Sequence, residues 1–516
     1  MEEEEEELDR LMIQITESIW QLVKWAFLQN ITLFLMSYVL SYNFGLSILI
    51  TLYTFIFGIY FLAIRKKYIF HWLLFPYAIY ASLAILCNKC WGSIFPSAEV
   101  SLFFPIYGAA YFIIIKIVRR NLRKRFSKKV TNILAVISVI VILPLLKGIN
   151  TELWCKDHGN INSEKQEILE RRNYLVSKIV TTPARVMNTM PSKIDEQFKG
   201  EWALYSCSML SAALTNISSI YPETQKDNLK NIDSLIQIVM SPTLSKYDKE
   251  RWEESPLSSL DGDKSHISYL SHLAWMISGY KTIGGNSKYD ELFTSVCKTM
   301  NRRIINSKIL NLPTYPDEAI YIPDMLVAIV ALSQYSQMNG GKYSSTVNSW
   351  LKRARTEWID KETGLLVSFL DNDGKQIEGA PIKGSYSALN CSYLSYIDED
   401  FANEQYKRFK TVFWKDDIVS GIKEYYDNPY IWGLDMDAGP IILGLSPSGT
   451  AFATGAVTYF GDYDIRNKIL RTAEIAGHTI KWSNNRHYAL AEVALVGEAI
   501  MLAMRTNYKE CKVHNL

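Results

Sequence analysis

Two hydrophobic patterns divide the chain. Up to about residue 150 the apolar residues come in unbroken runs, at 25–42, 44–64, 68–86, 102–118 and 130–146. A helix needs about 20 such residues to cross a bilayer, so five transmembrane helices are expected. From about residue 165 apolar positions recur every three or four residues, as in Ile267, Leu270, Leu273, Ala274 and Ile277, or Met325, Ile329, Leu332 and Tyr335. That is a helical period. Strand-like runs such as 365–370 are rare.

Within the second part a unit of helix, short polar turn, aromatic residue and helix repeats. It reads GYKTIGGNSKYDELF at 279–293, YSQMNGGKYSSTVNSW at 335–350, SYIDEDFANEQYKRF at 395–409 and TYFGDYDIRNKIL at 458–470. Successive turns, marked by Gly285, Gly340, Asp398 and Gly461, lie 55, 58 and 63 residues apart, enough for two helices and two loops. The chain after residue 150 then holds six helical hairpins, the number that closes an (α/α)6 toroid. The expected fold is all-α: multi-span N-terminal transmembrane helices over 1–150, a linker over 151–165 and an (α/α)6 toroid over 166–516.

Charge follows the same division. Residues 1–150 carry a net +6 and the remainder a net −4. The cations separate the apolar runs in two places, Arg65, Lys66 and Lys67, then Arg119, Arg120, Arg123, Lys124, Arg125, Lys128 and Lys129. The positive-inside rule puts both clusters in the cytoplasm. Five spans then leave the N-terminus cytoplasmic and the C-terminal domain extracytoplasmic, with the lipid bilayer as one partner. Nucleic acid is not an expected partner, because the only dense basic run lies between apolar stretches. With 26 Gly, 16 Pro and 7 Cys in 516 residues, collagen, disordered and disulfide-scaffold classes are excluded.

Four long stretches between the hairpins, 251–266, 311–324, 366–386 and 427–450, are rich in Pro, Gly, aromatics and acids. Loops of that length in a compact domain usually carry function. Tyr315, Asp317, Glu318 and Asp324 fall in the second; Trp432, Asp435 and Asp437 fall in the fourth. Carboxyls in pairs suit general acid–base work, although an acid after Pro323 also describes a helix start. Among seven histidines, His272 stands out as the one on an apolar helix, with a side chain that exchanges protons near neutrality. Gly284-Gly285 and Gly340-Gly341 read as helix C-caps and not as phosphate loops. No His/Cys/Glu cluster has zinc spacing, so no metal or cofactor is expected.

The words WEE at 252–254, YLSHLAWMISGY at 269–280, Pro316-Asp317, WIDKETG at 358–364 and IDEDFANEQYKRFKTVF at 397–413 resemble the linalool dehydratase/isomerase family over about residues 252–413. The resemblance implies an (α/α)6 toroid and a site that includes His272, Tyr386, Trp252, Glu253 and Tyr269. The family's two active-site cysteines are replaced by Thr314 and Pro323, so linalool is not the expected substrate. Carbon–oxygen cleavage or rearrangement of a small-molecule alcohol by acid–base catalysis is the first function expected. The alternatives are a glycoside hydrolase acting on an envelope or extracellular glycan, and a non-catalytic glycan- or lipid-binding module.

Overall fold

The computed structural model describes residues 127, 130, 161–183, 196–416, 419–427, 432–435, 438–442, 444–477, 479–488, 491 and 494–509. Two compact units are distinguished, Met1–Lys156 with Gly477–Ala489, and Asp157–Ala476 with Leu490–Leu516. Of the first, the hairpin of β7 (Thr479–Trp482) and β8 (Asn485–Tyr488) is described; it closes through a two-residue turn at Ser483, which takes a left-handed φ of 54°.

The second unit is a ring of helices. Its inner members are α2 (Glu196–Ile220), α5 (Ile267–Thr282), α7 (Ile322–Met338), α9 (Gly384–Leu394), α11 (Pro447–Tyr459) and α13 (Leu495–Arg505). Each packs on the next, and α13 packs back on α2, so the ring closes. Between them in sequence come the outer helices: α1 (Ile161–Leu175) before α2, then α3 (Gln225–Met240), α6 (Asp290–Asn306), α8 (Ser344–Glu357), α10 (Glu399–Phe413) and α12 (Tyr463–Gly477). A short α4 (Pro242–Trp252) follows α3.

Burial separates the two layers. Inner helices are buried nearly all round, as α5 is from Ile267 to Ser278, which is how a helix enclosed on every side reads. Outer helices bury one stripe, which in α3 is Asn228, Ile232, Leu235, Ile236 and Val239. Side-chain caps fix one start in each layer: Asp398 Oδ1 accepts from Phe401 N at 3.0 Å before outer α10, and Ser446 Oγ accepts from Gly449 N at 3.0 Å before inner α11. The turn from α7 to α8 runs through Gly340 and Gly341 at φ of 64° and 81°, where a side chain would be strained.

Two parts of the expected fold class are corrected. Among the described residues no helix is long and apolar enough to cross a membrane; the five runs at 25–146 lie, but for Val130, outside those residues. Nor is the chain all-α. Among the described residues there are four two-stranded antiparallel sheets: β1 (Ile320–Tyr321) with β2 (Phe369–Leu370), β3 (Trp414–Lys415) with β4 (Gly421–Ile422), β5 (Trp432–Asp435) with β6 (Gly439–Ile442), and the β7–β8 hairpin. Within the ring unit the strands lie in the long connections that lead to inner helices, where pairing satisfies backbone groups that no helix serves.

The ring is locked by buried ions. Glu164 of α1 takes both Arg466 of α12 and Arg505 of α13; Arg505 also binds Glu167 at 2.7 Å, and Arg171 joins Glu167 to Glu498 at 3.0 and 2.7 Å. Arg171, Arg466 and Arg505 are fully buried. Removing one member leaves its partners charged and dry. Arg505→Met should therefore cost about 3–5 kcal/mol of stability, read as a lowered urea midpoint of the full-length chain; an unchanged midpoint would show that the clasp does not hold the ring.

Candidate functional site

Because inner and outer helices alternate, all six inner helices begin at one end of the ring, and the described residues of the long connections 253–266, 307–321, 358–383 and 414–446 gather there. Glu201, Tyr205, Tyr321, Asp324, Phe369 and Tyr386 belong to this end and are only half-buried. Solvent reaches them while the helices around them are packed.

Just inside, aromatic side chains meet across the ring. His272 of α5 has its ring 4.5 Å from Tyr205 of α2, and Trp275 stands edge-on to Tyr393 of α9 at 5.5 Å and to Tyr396 at 6.0 Å. His272 is fully buried and neither of its nitrogens has a hydrogen-bond partner among the described residues. Burial pushes its pKa down to about 3, so the imidazole is neutral at physiological pH and offers one donor and one acceptor. Proton exchange near neutrality, expected of this residue from its type, is suppressed by desolvation.

Two carboxyls converge on the same place. Burial raises the Tyr205 phenol well above its ordinary range, and Tyr393, Asp324 and Glu201 add to the effect. Tyr393 is raised by burial first and by Asp324 next. Asp324, in the first turn of α7, accepts a hydrogen bond from Thr314 Oγ1 at 2.9 Å. Glu201 projects from α2, and its charge is also felt by Tyr247 and Tyr315.

A second charged cluster adjoins it through an aromatic wall. Tyr386 lies 6.3 Å from Tyr321 and 5.4 Å from Phe369, ring to ring. Lys383 Nζ sits 5.3 Å from the Tyr386 ring and 3.0 Å from Asp435, and both charged side chains are buried. Asp435 also accepts from Tyr425 OH and, at 2.7 Å, from Ala438 N. Burial works to raise Asp435, but these hydrogen bonds and Lys383 prevail and hold it below the usual carboxylate range. Glu424 goes the other way: burial raises it despite hydrogen bonds from Ser446 and Ser385, and Asp435 adds repulsion.

Among the remaining sequence candidates, Tyr315 adjoins Glu201. Asp317 is exposed at a left-handed φ of 61°, and Glu253 is exposed at 59° after α4. Glu318 pairs with Arg251 at 3.1 Å, whose guanidinium stacks 3.7 Å from the Tyr315 ring. Tyr315 also meets Ser268 at 3.3 Å. Tyr269 is fully buried and donates to Val239 O of α3 at 2.9 Å, which ties it to the outer layer. Trp252 packs against His266, which is held by Asp248 at 2.5 Å. Trp432 heads β5 opposite Ile442, and Asp437 lies outside the described residues. Among the described residues no group of three or more His, Cys, Asp or Glu side chains could hold a metal. Sequence reasoning missed Glu201, Tyr205, Lys383 and Glu424. The acid in GIKEYYDN, beside the 427–450 loop, was the one available signal.

No family model matches the chain, and no curated protein does. Among solved structures, a glycoside hydrolase from family 105 of C. acetobutylicum ATCC 824 is similar with a TM-score of 0.44 and 11% identity, over 66% of this chain and 99% of that one. Likeness at that level decides nothing about chemistry.

The opposed shifts at the second cluster give stability a testable pH dependence. Glu424, raised above its unfolded value of about 4.3, contributes stability below that value that is lost as pH rises through its folded pKa. Asp435, held below about 3.9, contributes stability above that value that is lost as pH falls through its folded pKa. Glu424→Gln should therefore raise the urea midpoint at neutral pH. Asp435→Asn should lower it there by removing the carboxylate that Lys383 meets at 3.0 Å, with a gap to the native protein that shrinks in acid. Gaps that do not change with pH would contradict both assignments.

Proposed function

We propose that the chain is a glycan-directed hydrolase that cleaves a glycosidic carbon–oxygen bond with Asp324 and Glu201. What carries this reading is the convergence of two half-buried carboxyls, from α7 and α2, on the Tyr205 phenol. Asp324 stands in the first turn of α7 and accepts the Thr314 hydroxyl at 2.9 Å. It takes the role of base, withdrawing a proton from the attacking water or meeting the anomeric carbon directly. Glu201, among the phenols of Tyr205, Tyr247 and Tyr315, is the second carboxyl, which in its protonated form gives its proton to the departing oxygen. The aromatic walls suit the apolar faces of sugar rings. Elimination of the linalool dehydratase/isomerase type is less well supported, because Thr314 and Pro323 occupy the cysteine positions and His272 is held neutral.

The test is reducing-sugar release from a panel of neutral and acidic polysaccharides by the full-length chain. Asp324→Asn and Glu201→Gln should each lower the rate by about 10²–10⁴-fold with the thermal midpoint unchanged. Full activity in either variant would remove that residue from the mechanism.

A further inference from the structure

Helix α9 carries Tyr386, Asn390 and Tyr393 on one face, at intervals of four and three residues. That face looks across the ring, since Tyr393 meets Trp275 of α5 and Tyr386 meets Tyr321 at the ring's end. Asn390 is 2% exposed, and neither its amide nitrogen nor its amide oxygen has a partner among the described residues. On α5 the matching stripe is Ser268, His272 and Trp275, whose middle member has the same property. An unpaired buried amide or imidazole costs stability, because it has lost its water without gaining a partner. Two such residues facing one interior, each offering a donor and an acceptor and neither charged, describe a site made for uncharged hydroxyl groups.

We infer that Asn390 and His272 form the sugar-binding subsite of the hydrolase proposed above, an inference that rests on that reading, and that the sugar is a neutral terminal residue entering end-on. Termination follows from the floor, where Trp275, Tyr393 and Tyr396 close the ring interior. From Tyr386 to Tyr393 the helix rises about 10 Å, which separates the tyrosine at the ring's end from the floor. A uronate carboxylate is disfavoured because Asn390 and the neutral His272 offer it no positive charge.

The probes are the methyl glycosides of glucose, galactose and mannose, with methyl glucuronide as the anionic comparison, added to the full-length chain. At least one neutral glycoside should raise the thermal midpoint and inhibit polysaccharide cleavage, and methyl glucuronide should do neither. Asn390→Leu, which removes the unpaired amide without opening a cavity, should raise the midpoint of the free protein. It should also abolish the glycoside-dependent rise and increase KM about tenfold or more. Should Asn390→Leu fail to fold, Asn390→Ala serves for the KM and glycoside measurements. A lowered midpoint in Asn390→Leu with the glycoside rise intact would make the amide a structural, water-bridged group and overturn the inference. So would a lack of response to every neutral glycoside, or a stronger response to glucuronide. Glycoside binding without any cleavage of polysaccharide would fail the hydrolase reading and leave the subsite standing. Cleavage with KM unchanged in both Asn390 variants would do the reverse.

Discussion

A ring of helices exists only if its first and last members meet, and here the meeting is made by six charges, all buried but the half-buried Glu167. Glu164 and Glu167 on α1 face Arg466 and Arg505 from the last hairpin, and Arg171 with Glu498 completes a set with no net charge. Apolar contacts between α13 and α2 would tolerate sliding or rotation. Guanidinium forks on carboxylates do not, because a shift of one residue leaves ions buried without partners. The direct gain in stability from such a cluster is small, since dehydrating the ions costs nearly as much as their attraction returns. Its use here is to fix one register for the closed ring.

Closure in one register also decides where chemistry can be. The inner helices must start at a common end, and whatever stands in their first turns faces a shared space. Asp324 and Tyr386 are the third residues of α7 and α9, and Glu201 is the sixth of α2. Asp324 and Glu201, distant in sequence, are thereby set around Tyr205. Lys383, just ahead of α9, draws Asp435 of β5 to the same rim. The strand pairs in the connections hold this end together without extending the core.

Helical spacing was plainly readable: Ile267, Leu270, Leu273, Ala274 and Ile277 are all buried in α5, and the polar turns at 284–285 and 340–341 do separate helices. The direction in which a side chain points was not. Tyr269 and His272 are three residues apart on one apolar helix, yet one reaches the outer layer and the other the interior, because an inner helix is buried on all sides and its pattern has no polar face to orient it. Asp317 and Asp324 look alike beside Pro316 and Pro323, but the first is thrown into solvent by a left-handed turn. Glu201 lies within a long helix, fifty residues before the first of the conspicuous loops, and its partner is supplied by a helix that is not its neighbour in sequence. Nothing local distinguishes it from a surface glutamate.

The clasp also sets a timetable. Glu167 and Arg505 are 338 residues apart, and a chain emerging at about 5–20 residues per second leaves the first of them waiting roughly 20–70 s for the second. During that interval α1 and the facing side of α2 have no α13 to cover them, so the nascent chain carries an unsatisfied seam of carboxylates beside apolar surface. Helical hairpins such as α5–α6 and α7–α8 can form in that time from nearby contacts, while the final step joins the two ends of the unit at the entropic cost of its longest loop. Synthesis of this fold therefore leaves an open arc exposed for tens of seconds, until Arg466 and Arg505 arrive.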